Sequence, residues 1–135
     1  MKKIKYMAVV VLLLVGMGLN STPAAAQGEV LVNAKSAIRI GSSKDLSRHF
    51  NSTVELGFEG NKSNYSQTQA EFVLKDFFNK TPATDFDYIH QGASREGLRY
   101  AIGKYSHSSG SYRVVIYVKQ LKGNYVIDMI DFTRE

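Results

Sequence analysis

The sequence predicts an α+β domain: helices packed on one face of a curved antiparallel sheet, one of them long, with two N-terminal helices ahead of it. Three observations predict it. In the first half, apolar residues recur at helical spacing, first at Leu31, Ala34 and Ile38 and then at Ala70, Val73, Leu74, Phe77 and Phe78. After Pro82 the pattern changes to period two and to β-branched and aromatic residues. The connections between those later runs have hairpin lengths, so they pair antiparallel, whereas parallel neighbours need long crossovers. Helices first and strands last put the helices on one face of the sheet.

The first 26 residues read as a secretory leader, with Lys2, Lys3 and Lys5 ahead of an apolar run from Met7 to Leu19 and a small-residue site at Ala24-Ala25-Ala26. Cleavage is expected between Ala26 and Gln27, leaving one domain over 27–135. Thirteen apolar residues rise only about 20 Å as a helix, short of the roughly 30 Å of hydrocarbon that an anchor must cross. No membrane span is therefore expected after processing, and the location implied is periplasmic or secreted. The first helix of the mature chain covers Glu29 to Ile40, with Val30 and Ala37 beside its apolar stripe and Gly41 as its stop. Ser42-Ser43 caps a second helix from Lys44 to Phe50, whose Leu46 and Phe50 share a face. Asn51-Ser52 breaks it, Thr53 to Phe58 reads as a strand, Gly60-Asn61-Lys62 as a turn, and a short partner strand reaches Tyr65.

The long helix begins at Ser66, where Ser66-Gln67-Thr68-Gln69 forms a capping box, and ends at Asn79 to Pro82. The four later strands are Asp85 to Gln91, Leu98 to Ser106, Tyr112 to Leu121 and Tyr125 to Phe132. Their connectors, Gly92 to Gly97, Ser106 to Gly110 and Lys122-Gly123-Asn124, are rich in turn residues.

Composition excludes several function classes. A chain of 135 residues holds one ordinary domain, and 44% hydrophobic with 21% charged residues is the balance of a folded protein. The absence of cysteine excludes disulfides, thiolate metal sites, cysteine nucleophiles and a lipid-modified cysteine. The leader's three lysines leave with it, so seventeen basic residues become fourteen against twelve acidic, and the net charge falls from +5 to +2. No basic cluster replaces them, and nucleic-acid binding loses its electrostatic support. His49, His90 and His107 fall in three separate elements with no ligand at short spacing, so no metal is expected. There is no glycine-rich phosphate loop between a strand and a helix, and no cofactor is implied.

The order of elements resembles that of the nuclear-transport-factor-2-like superfamily, also called cystatin-like, over nearly the whole mature chain. Within it, Tyr65-Ser66, Gln69-Ala70-Glu71, Phe77-Phe78, the stretch from Phe86 to His90-Gln91-Gly92, Tyr100-Ala101-Ile102-Gly103 and Tyr112-Arg113-Val114 resemble a small exported family of unknown function in Bacteroidetes. The resemblance implies a cone-shaped sheet round the long helix, often with a cavity, on a fold that serves enzymes, binding modules and dimerisation domains alike.

Candidate residues follow from strand alternation. His90 shares a predicted face with Phe86 and Tyr88, where an aromatic-lined histidine oriented by Asp128 or Asp131 could exchange protons. Asp128, with Val126, Ile130 and Phe132 on its predicted face, is the acid most enclosed by apolar neighbours. Arg113 begins its strand on one face with Val115 and Tyr117, where its planar fork suits a carboxylate or phosphate. Tyr88, Tyr100 and Tyr117 offer apolar bodies with one hydroxyl each. The candidate ligand-binding set is thus Tyr88, His90, Tyr100, Arg113, Tyr117 and Asp128. None matches an enzymatic spacing, so no catalytic residue is assigned. The reading is an exported non-enzymatic domain binding a small molecule, peptide or protein on the concave sheet face. The alternatives are a small enzyme with proton-transfer or hydrolytic chemistry in the cone, or a structural module of the envelope that forms a homodimer through its sheet.

Overall fold

The computed structural model describes residues 23–93 and 98–135. In chain order the elements are α1 (Pro23–Ile40), α2 (Ser43–Ser47), β1 (Phe50–Phe58), β2 (Asn61–Ser66), α3 (Gln67–Lys80), β3 (Asp85–Ala93), β4 (Arg99–His107), β5 (Gly110–Leu121) and β6 (Asn124–Arg134). They form a curved, unclosed six-stranded sheet with three helices, the α+β class read from the sequence. Most of the expected leader lies outside the described residues, the Ala26–Gln27 boundary falls within α1, and the β3–β4 connector is described only in part. Among the described residues no helix is long and apolar enough to cross a membrane.

The stripe of α1 is buried as its spacing predicts: Leu31, Ala34, Ala37 and Ile38 are all enclosed. Gly41 ends the helix at φ +72°, a conformation that a side chain resists, and the Ser42 amide donates back to the Ala37 carbonyl at 2.8 Å. The Ser42 hydroxyl then accepts from the Asp45 amide and starts α2. Here the structure corrects the sequence reading. The second helix ends at Ser47, not Phe50, and Asn51-Ser52 is no break but part of β1. Phe50 is buried either way; it is held in the sheet because it pairs with Ile127, which offers it the core that a third helical turn would have had to find elsewhere.

Both arms of the capping box at Ser66 and Gln69 are made, and α3 buries Ala70, Leu74 and Phe78. Val73 and Phe77 are half-buried, packed against the core at the helix flank. The Phe77 ring lies 4.6 Å from Phe132, 5.3 Å from Phe58 and 5.5 Å from Tyr112, centroid to centroid, which ties α3 to three strands.

The sheet order is β2-β1-β6-β5-β4-β3. The last four strands form the expected antiparallel meander. The sheet as a whole is mixed, because β1 lies parallel to β6, a pairing that brings the two halves of the chain together. Three irregularities interrupt the register, one between Phe50 and Glu55 where β1 lies beside β6 and two β-bulges in the meander. Tyr88 faces Gly103 while His90 faces Ile102, which leaves Ile89 as an extra residue on β3. Tyr117 faces Met129 while Val118 faces Ile127, which leaves Asp128 as an extra residue on β6. The inner, helix-covered face holds Ala101, Tyr105, Val114, Ile116, Val118, Ile130 and Phe132, all buried. The free edge of β3 is covered from α1: Arg39 donates through Nε and Nη2 to the Phe86 carbonyl at 3.2 and 2.9 Å, and Lys35 pairs with Asp87 at 3.3 Å.

Candidate functional site

Strand alternation turns over at a bulge, and the bulges decide where the six candidate residues go. Tyr88 lies on the inner face beside Phe86, its hydroxyl donating to the Leu31 carbonyl at 2.6 Å, and burial pushes its phenol well above the ordinary range. The extra residue Ile89 then turns His90 to the outer face, where its Nε2 lies 3.0 Å from the Tyr100 hydroxyl. Tyr100, Arg113 and Tyr117 are also outward, alternating with the buried Ala101, Val114 and Ile116. Asp128, in its bulge, is parted from Ile130 and Phe132 and pairs outside with Lys119 at 3.2 Å, while Asn51 donates to it at 3.3 Å. The expected grouping of His90 with Phe86 and Tyr88, and of Asp128 with Ile130 and Phe132, is therefore corrected. Tyr88 and His90 stand on opposite sides of the sheet, and the set does not converge in one concave pocket.

The concave side holds a different constellation. At the end of the sheet where β1 stops and β5 starts, α3 stands off far enough to leave a cleft of about 280 Å³ lined by Phe58, Val73, Phe77, Tyr112 and Thr81, with Glu59, Asp76 and Lys80 at the rim. Its walls are aromatic because the apolar alternation of β1 and β5 runs to the strand ends, where Phe77 of α3 packs against Phe58 and Tyr112. The rim charges are mutually satisfied: Lys80 pairs with Asp76 at 2.9 Å and Glu59 with Arg134 at 3.2 Å. Tyr112 and Glu59 both hold Arg134 in its charged form, the Tyr112 hydrogen bond contributing most. Deeper in, the Tyr105 hydroxyl donates to the Thr81 carbonyl, and burial, with Tyr112 adding to it, raises that phenol to about 12. The cleft thus offers shape and apolar area, with the acids Glu59 and Asp76 engaged by Arg134 and Lys80. Phe77 is legible in the helical stripe; the meeting of Phe58 with Tyr112 is not, because nothing local marks two strand ends some fifty residues apart as neighbours.

A second cleft of about 400 Å³ lies between α1 and α2, lined by Asn33, Ser36, Ile40, Asp45, Arg48 and His49. Burial, and then the Arg48 cation, lower the His49 pKa. Asp45 and Arg48 pair at 3.4 Å. Among the described residues no group of three or more His, Asp or Glu is placed to hold a metal ion.

The sequence matches the family described as Domain of unknown function (DUF4783) over residues 31–133. Its fold is shared by a crystal structure of a DUF4783 family protein from Bacteroides ovatus, at 28% identity and TM-score 0.72, covering 76% of this chain and 93% of that one. A DUF4783 family protein from Bacteroides fragilis aligns at 22% identity and TM-score 0.72, over 77% of this chain and 97% of that one. A domain of unknown function with a cystatin-like fold from Nostoc punctiforme aligns at 14% identity and TM-score 0.64, over 85% and 80%. No curated protein matches. The motifs from Tyr65-Ser66 to Tyr112-Arg113-Val114 pointed to this kind of family, within the nuclear-transport-factor-2-like superfamily.

Proposed function

The chain belongs to the DUF4783 family, and from its geometry we propose that it is an exported, non-enzymatic domain that binds a small, largely apolar ligand in the cleft between α3 and the ends of β1 and β5. The observation that carries this reading is the cleft itself: three aromatic rings, Phe58, Phe77 and Tyr112, stand together at one end of the concave face. Apolar walls with a few polar groups at the rim are the usual make-up of a small-molecule site. The leader read from residues 1–26 supports the periplasm or the exterior as its place of work.

Native mass spectrometry of the protein purified from its host tests this. The expected result is a chain beginning at Gln27 that retains a small compound, and a Val73→Arg variant, which fills the cleft with a charged side chain, that retains none. A mass matching the bare polypeptide for each protein, together with no shift at Phe58, Val73, Phe77 or Tyr112 in amide spectra recorded with aromatic fragments, would overturn the reading.

A second reading rests on the other side of the sheet, which no described helix covers. There Tyr100, Ile102, Val115 and Tyr117 form a half-exposed apolar strip, Tyr117 being 41% exposed. Lys104 and Arg113, with no ion-pair partner among the described residues, lie toward one end of it, and Glu55 lies in the row of Tyr117 and Met129. An apolar strip with unpaired charges of both signs suits an isologous contact with a second copy. Light scattering would then give a dimer mass that Tyr117→Glu halves; a monomer at all concentrations would exclude it.

A further inference from the structure

Across the Tyr112 ring from the cleft, at the β4–β5 turn, lies a separate recess of about 290 Å³ lined by His107, Ser109, Gly110, Ser111, Arg134 and Glu135. The two adjoin through shared contacts: Tyr112 packs on His107 at 5.3 Å between ring centroids, and Glu59, on the rim of the first, pairs with Arg134 in the second.

We infer that the ligand of the cleft is an amphipathic carboxylate, its apolar body lying against Phe58, Phe77 and Tyr112 and its head group reaching the recess of His107, Ser109, Ser111 and Arg134. This rests on the binding reading above and adds the chemical class. The recess is rich in hydrogen-bond donors. The Ser109 amide donates to His107 Nδ1 at 3.2 Å, and a neutral ring that accepts there carries its proton on Nε2, as a donor. The hydroxyls of Ser109 and Ser111 have no partner among the described residues. Arg134 spends Nε on Glu59 and a further contact on Tyr112, which leaves part of its five-donor fork for a planar carboxylate. Glu59 is occupied by that pairing. Glu135 is the remaining acid on the rim; its backbone amide is tied to the Ser111 carbonyl at 3.0 Å, and its carboxylate competes with a bound anion without engaging any of these donors.

Calorimetric titration of the purified chain with 4-phenylbutyrate, 4-phenyl-1-butanol and 4-phenylbutylamine tests the class, since the three share one body and differ in head group. The acid is expected to bind about tenfold more tightly than the alcohol, the effect of one charge-assisted hydrogen-bonded contact, and the amine more weakly than either. Arg134→Gln should bring the acid to the level of the alcohol while leaving the alcohol unchanged. His107→Ala, which leaves the Glu59 contact in place, should lower only the acid. Equal binding of acid and alcohol, or an acid preference that survives both substitutions, overturns the carboxylate inference and leaves the cleft reading standing. Failure of all three to bind overturns the cleft reading and this inference with it.

Discussion

Phe132→Ala is expected to remove about 3–5 kcal/mol of unfolding free energy, the range for truncating a buried aromatic ring. Phe132 is fully enclosed in β6 and is the ring that the others share: Phe58 stacks on it at 5.3 Å with an interplanar angle of 4°, Phe77 tilts over it at 4.6 Å, and Tyr105 meets it edge-on at 6.1 Å. These neighbours come from three different elements, each fixed by its own hydrogen bonds, so they have little freedom to close the space left behind. Phe58 and Phe77, which line the cleft, lose the ring they both pack on, and binding of aromatic fragments should fall together with stability. Urea unfolding followed by tyrosine fluorescence measures the first effect. A loss below about 1 kcal/mol would mean that the aromatic cluster collapses freely, contrary to tight packing.

The second large effect is expected at a position with no side chain. Gly103 in β4 lies under the buried Phe86 ring; a Cβ there would come within 2.7 Å of Cε1 and Cζ of Phe86 and 3.1 Å of the Asp87 carbonyl oxygen. The ring has no open direction in which to move, because Tyr88 packs against it at 5.6 Å and Tyr105 at 6.3 Å. Gly103→Ala should therefore cost about 1–3 kcal/mol, the usual penalty of overpacking, despite adding one methyl group. Gly28→Ala serves as its control: nothing stands within 4 Å of a Cβ there, and alanine in a helix is neutral to stabilising. Thermal melts of the two variants decide it. Equal midpoints for both would show that β4 yields to admit the methyl group.

The sequence made the helical elements of this fold legible, and it did so where a local rule carried the information. Ser66 and Gln69 cap α3 through bonds made within one turn, and the stripe from Ala70 to Phe78 needs only the helical period to be recognised. The four-strand meander was legible for a similar reason, since short connectors leave antiparallel pairing as the simple solution. The extent of α2 was not, because Phe50 suits a helix by spacing and a strand by its partner Ile127, which lies far along the chain. Nor were the faces of His90 and Asp128. Alternation assigns faces by counting, and one unpaired residue before His90, or Asp128 itself standing unpaired, inverts the count without altering the look of the pattern. The cleft escaped for a third reason: its aromatic walls are contributed by one helix flank and two strand ends that meet only once the sheet is assembled.

The β1–β6 contact bears on the order in which the molecule can assemble. The Ile127 amide donates to the His49 carbonyl at 2.7 Å, and Leu56, Gly57 and Phe58 lie beside Ile130, Asp131 and Phe132. Until that final strand has been synthesised, β1 has only the polar, exposed β2 as a strand neighbour, and its other edge has no sheet to complete. Closing a loop of that span costs entropy before its contacts repay it, so productive folding waits for the C-terminal residues to arrive.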